Sequence, residues 1–203
     1  MSLIAKRESS VTPVPEGTHF ARCVQMIDLG EQYSERYDKW SPKVMIRWEL
    51  PNERYINEEK ELNEPRMLGA TYTKSLSENA NLLKMLEGWR GKKFTDEELR
   101  GFNLSVLIGL PCMVTVTHAQ SNGSTYANVN SVAALPKGLE MPPQETESII
   151  FDLDEFDALE HIDRFPEFIR NQIKKSREWQ TLHGAAGDLS PEDDGCYGED
   201  MPF

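Results

Sequence analysis

The stretch Lys43–Leu50 constrains the fold of this chain more than any other. Val44, Ile46, Trp48 and Leu50 alternate with Lys43, Met45 and Arg47, the period of two that a strand with two unlike faces requires. One face has to be buried, so a sheet must be built around this strand. Ahead of it, Thr18–Leu29 mixes apolar and polar residues as a long, half-buried strand does, and Arg66–Ser75 supplies a third strand. Gly30–Ser41, rich in Tyr, Glu and Arg, reads as a polar loop, and the charged stretch Asn52–Pro65 reads as turn-like.

Two short helices follow. Ser77 is placed to cap the first, in which Leu82, Leu83, Met85, Leu86 and Trp89 form one apolar stripe and Gly91 is the stop. In the second, Thr95 and Glu98 have capping-box spacing, Phe94 and Leu99 are placed as a hydrophobic staple, and Gly101 ends the run. Pro111–Gln120 and Ser124–Leu135 are two further strands, joined through Asn122–Gly123, a strong hairpin signal. Periodicity places Trp48 and Trp89 in the core. Three strands, helices, then two strands is the order of the OB-fold, a small Greek-key barrel whose open face and loops hold oligonucleotides or oligosaccharides. The expected fold is thus mainly β with helices: a five-stranded OB-fold barrel over residues 1–136, with the helices between strands three and four.

The formal net charge of −12 is unevenly spread. Residues 136–203 hold 17 acidic and 6 basic side chains, while residues 1–135 hold 17 and 16. A nearly neutral body can carry a basic face, and the acidic end is a separate device. No run of about 18 apolar residues is present to span a bilayer, and the opening MSLIAKRESS lacks the apolar stretch of a secretory signal, so a cytoplasmic protein without membrane contact is expected. Cys23, Cys112 and Cys196 are far apart and form no CxxC pair, which points to buried or incidental thiols.

A sequence-tolerant groove for a single nucleic-acid strand needs aromatic faces on which bases stack and cations along the phosphates. The body offers both. Lys43 and Arg47 point away from the core face of the second strand, the loop before it brings Tyr37, Lys39 and Trp40, and the third strand carries Arg66, Tyr72 and Lys74. Arg90, Lys92 and Lys93 cluster at the end of the first helix, and Tyr126 lies just past the hairpin turn. Each is ordinary alone, and the grouping gives the signal. Asp152, Asp154 and Asp157 are spaced loosely like carboxylates around magnesium, but apolar residues interrupt them and no basic catalytic partner or phosphate-cradling glycine loop accompanies them. His19, His118, His161 and His183 have no metal-ligand spacing. With no Walker motif or nucleophile elbow, the chain reads as a binding protein, not an enzyme, with no cofactor and no metal.

The last residues, Glu199, Asp200, Met201, Pro202 and Phe203, close an acidic run on an apolar residue, Pro and Phe. This resembles the C-terminal tip of bacterial and phage single-stranded DNA-binding proteins. Phe203 offers a ring and a free carboxylate on one residue, so a partner needs an apolar pocket with a basic rim, and the acids upstream strengthen the encounter. Pro15-Glu16-Gly17-Thr18, Leu86-Glu87-Gly88-Trp89-Arg90-Gly91 and Phe151-Asp152-Leu153-Asp154 resemble a family of small single-stranded DNA-binding proteins of phages and integrated elements. The resemblance implies an OB-fold, single-stranded DNA as ligand, and work in replication and recombination inside a bacterial cell. It also implies that the tip recruits replication, recombination and repair proteins.

The chain departs from the bacterial proteins before the tip. Instead of a Gly/Gln-rich linker it has Ile149, Ile150, Phe151, Leu153, Phe156, Leu159 and Ile162, too apolar for a free tether. Pro166 suits the first turn of a helix in which Phe168, Ile169, Ile173 and Trp179 line one side. Residues 137–182 are therefore expected to form an acidic, partly helical segment packed on the barrel or on a second subunit, with a homo-oligomer, dimer or higher, anticipated. Residues 183–203 are expected to be a flexible tail. The competing reading is an acidic protein-interaction module or DNA mimic that does not itself bind DNA.

Overall fold

The two faces of the Lys43–Leu50 strand enter two separate cores. In the computed structural model, which describes residues 12–57, 61–121, 123–155 and 158–184, Val44, Ile46, Trp48 and Leu50 point into a main core, while Met45 packs with Ile27 and Leu29 in a second one. The elements are β1 (Gly17–Ser34), β2 (Lys39–Asn57), β3 (Leu62–Thr73), α1 (Asn81–Arg90), α2 (Asp96–Arg100), β4 (Pro111–Ser121), β5 (Ser124–Ala134), β6 (Ile149–Phe151), α3 (Glu167–Lys174) and α4 (Arg177–Gly184). The fold is mainly β, a six-stranded sheet in the order β3-β2-β1-β4-β5 with β6 added on β1. All neighbours are antiparallel except β6, which runs parallel to β1. β4 and β6 divide β1 between them, β4 pairing with Gly17–Arg22 and β6 with Gln25–Ile27. Among the described residues the sheet stays open, with β3 and β5 as edges that approach each other across a cleft.

The strands run further than their apolar pattern. Gly30–Ser41, expected to be a loop, continues the ladder through Tyr33↔Trp40 to Ser34↔Lys39, and only residues 35–38 turn. Asn52–Pro65, expected to be turn-like, carries the β2–β3 pairing from Arg54↔Pro65 to Asn57↔Leu62. Backbone pairing needs no apolar side chains, so where polar residues occupy half-buried faces the alternation fades while the ladder persists.

Helix α1 closes one side of the main core. Its stripe Leu82, Leu83, Met85, Leu86 and Trp89 is buried as the sequence indicates, and the helix ends at Gly91. Its start differs from expectation: Ala80 is the N-cap, without a side-chain bond, and Ser77 lies in the preceding turn, its carbonyl accepting the Ala80 N–H at 2.8 Å. Gly88 lets the helix lie against β5, since a Cβ there would come within 2.7 Å of the Val132 carbonyl oxygen. Trp48 and Trp89 are both buried, their rings 6.2 Å apart, and the Trp89 indole N–H donates to Pro111 O at 3.2 Å. The Thr95/Glu98 capping box of α2 is present. Cys23 and Cys112 are fully buried, and burial pushes the Cys23 thiol up to about 12 and raises that of Cys112 as well.

The C-terminal segment packs on the sheet of the same chain. Ile149, Phe151, Ile162, Phe165, Ile169 and Ile173 bury against Ile27, Leu29 and Met45, each contributing about 1.5–3 kcal/mol by leaving water. It includes a sixth strand, β6, in a stretch expected to be apolar and packed but given no strand, because the short apolar run Ile149–Phe151 finds the side of β1 that β4 leaves open beyond Arg22. Phe168, expected on the buried side of α3, is 54% exposed, and Phe165, packed edge-on against Phe151 at 5.1 Å, fills the core instead. Asp157, Cys196 and the tip Glu199–Phe203 lie outside the described residues.

Candidate nucleic-acid interface

The turn between β1 and β2 brings Tyr37, Lys39 and Trp40 together. Trp40 sits across the ladder from Tyr33, the rings 5.5 Å apart and tilted by 53°. Tyr37 projects from the turn, 63% exposed, with the Arg36 guanidinium 5.4 Å from its ring centre. The Tyr33 hydroxyl donates to the Asp38 carboxylate, and that bond raises the Tyr33 pKa. The tip thus presents aromatic faces and the cations Arg36 and Lys39 on one reversal. Tyr33 is visible in the sequence as an aromatic of the Gly30–Ser41 stretch, but neither it nor Arg36 is among the expected site residues, because a loop there offers no reason to pair Tyr33 with Trp40.

Lys43, Arg47 and Lys74 lie further along, and each is engaged. The Lys43 ammonium donates to Thr73 Oγ1 at 2.7 Å, Arg47 donates to Gln25 Oε1 at 2.6 Å, and Lys74 forms an ion pair with Asp28 at 2.8 Å. Burial lowers the Arg47 pKa. Tyr72 is placed elsewhere: it pairs with Val44 and packs on the main core, where burial pushes its hydroxyl up to about 12. The neighbouring outer face of β1 and β2 is covered by the C-terminal segment. There the Glu49 carboxylate, 1% exposed, accepts the backbone N–H groups of Glu145 and Thr146, and Arg54 pairs with Glu145 at 2.7 Å.

Arg66 and Tyr126 meet in a cleft of about 870 Å³ between the β3 and β5 edges. Tyr55 and Glu64 line it as well, as do Thr12–Val14, which precede β1. Arg66 donates to the carbonyl of Arg54 at 3.2 Å and to that of Thr12, so two backbone oxygens hold its guanidinium. Sequence reasoning missed Tyr55 because it falls in the stretch taken for a turn; its position on the extended β2 supplies the signal.

Arg90, Lys92 and Lys93 form a separate group beside α1. Arg90 pairs with Glu98 at 2.6 Å with its guanidinium 4.3 Å over the Phe94 ring, and Lys93 pairs with Glu87 at 2.7 Å. Lys92 is exposed and shares a shallow depression with Lys84. Among the described residues no group of side chains is arranged to hold a metal ion, and no helix is long and apolar enough to cross a membrane. No protein-family model and no curated protein matches the chain.

Proposed function

We propose that the chain is a single-stranded DNA-binding protein with an OB-type barrel, acting in replication and recombination with little base preference. The observation that carries this reading is the β1–β2 tip, where Tyr33, Tyr37 and Trp40 stand with Arg36 and Lys39. Aromatic faces combined with cations are what a sequence-tolerant strand requires, since every base has a face to stack and every nucleotide a phosphate. The sheet order and the place of α1 between β3 and β4 support it, as they match the order of a five-stranded OB barrel. The acidic tip at Glu199, Asp200, Met201, Pro202 and Phe203 recruits partner proteins in this reading, while the body holds DNA. Trp40 supplies the test: adding oligo-dT should quench tryptophan fluorescence in the wild type and much less in Trp40→Phe. Unchanged emission on adding oligo-dT to the wild type would count against the proposal.

A second reading is favoured by one specific observation. Several cations of the body are neutralised within the chain, Lys74 by Asp28, Arg90 by Glu98 and Lys93 by Glu87. A protein-interaction module with net charge −12 would need no free basic surface. Binding to a protein partner through the acidic end, with no affinity for DNA at low salt, would favour it.

A further inference from the structure

We infer that the cleft between β3 and β5 seats an unpaired base of the bound strand, with Tyr55 and Tyr126 as its stacking surfaces and Arg66 as the fixed cation of its lining. This rests on the proposed binding of single-stranded DNA and names where on the protein a base goes.

Three observations converge on this cleft. The first is its shape: at about 870 Å³ it falls within the usual range of small-ligand pockets, about 300–1,000 Å³. Tyr55 comes from β2 and Tyr126 from β5, so the two rings reach it from different strands. The second is its chemistry. β3 and β5 are sheet edges here, and an edge presents backbone N–H and C=O groups that suit the polar rim of a base. Arg66 is positioned beforehand by the Arg54 and Thr12 carbonyls, so binding a strand need not order it. Glu64 offsets Arg66 in the lining, so the cleft as a whole carries no net positive charge to draw a phosphate in, which suits a neutral base as the group that enters.

The third is what the C-terminal segment leaves uncovered. Ile27, Leu29, Met45 and Glu49 are buried beneath it, so a strand cannot lie flat across β1 and β2. Gly69 and Thr71 of β3 remain exposed. They lie on the strand that joins the Lys43–Thr73 end of the sheet to Arg66 and the cleft.

Photocrosslinking tests this directly. The chain would be irradiated with a dT oligonucleotide carrying 5-iododeoxyuridine, the adduct mapped by mass spectrometry, and the affinities of Tyr55→Ala, Tyr126→Ala and the two Phe variants measured. Adducts on Tyr55 or Tyr126 are expected, with affinity lowered about tenfold or more in the Ala variants and kept in the Phe variants. Adducts confined to other residues, together with wild-type affinity in both Ala variants, would overturn the inference and leave single-strand binding standing. Failure of the wild type to bind the oligonucleotide at all would overturn both. If an Ala variant does not fold, the wild-type adduct map decides.

Discussion

The buried carboxylate of Glu49 accepts the Thr146 backbone N–H at 2.5 Å, across the 96 residues between them. Through this contact the C-terminal segment is tied to the centre of the sheet, and a strand whose sequence pattern only says "two faces" acquires a cover on one of them. An acid in the middle of an apolar strand is costly unless its oxygens are satisfied, and here backbone donors satisfy them.

Glu49→Ala leaves the Glu145 and Thr146 N–H groups without their acceptor, an expected loss of about 1–3 kcal/mol. Glu49→Gln keeps one acceptor oxygen and should lose less. Hydrogen exchange at residues 145 and 146 should quicken in the Ala variant, and wild-type protection there would show that the carboxylate does not hold the segment.

Gly30 sits at a register shift in β1 with φ of +67°, where a Cβ would collide with the Glu178 carboxylate and lie 2.7 Å from Ser176 Cβ. Gly30→Ala should therefore cost about 1–2 kcal/mol for the left-handed backbone and about 1–3 kcal/mol for overpacking. A urea midpoint equal to the wild type would contradict this packing of α4 on β1.

Glu98 is held at about 2, below its ordinary 4.5, chiefly by the Arg90 guanidinium and then by the Thr95 backbone N–H. The folded state prefers the charged form, so its contribution is complete above 4.5 and is lost as the pH falls toward 2. Stability measured across that range should fall less steeply in Glu98→Gln than in the wild type. Parallel curves would mean that the capping box and its ion pair do not set this pH dependence.

These residues also show where the sequence is readable. The Val44–Leu50 alternation, the α1 stripe and the Thr95/Glu98 box are local signals, and each forms the expected element. The strand positions of Tyr33 and Tyr55 and the far ends of β1, β2 and β3 are hidden because polar residues on half-buried faces leave no alternation to read. Tyr72 entered the candidate site since a strand tyrosine can point either way; its pairing with Val44 decides for the core. Phe168 and Phe165 are three residues apart on a short segment, and only the tertiary contact with Phe151 says which is buried.

Residues 190–203 carry five acids, Glu192, Asp193, Asp194, Glu199 and Asp200. If this end competes with DNA for the cations of the body, deleting it should tighten oligonucleotide binding, most clearly at low salt. Unchanged or weaker affinity would remove the competition.

Single-strand binding itself is best tested by fluorescence anisotropy, titrating the 203-residue chain against a labelled oligo-dT strand and the matching duplex at two salt concentrations. Tighter binding to the single strand, weakening as salt rises and counterions are recaptured, is the expected result. No binding to the single strand even at low salt would contradict it, and Phe203 with its acidic run would then be the functional end of a protein-binding module.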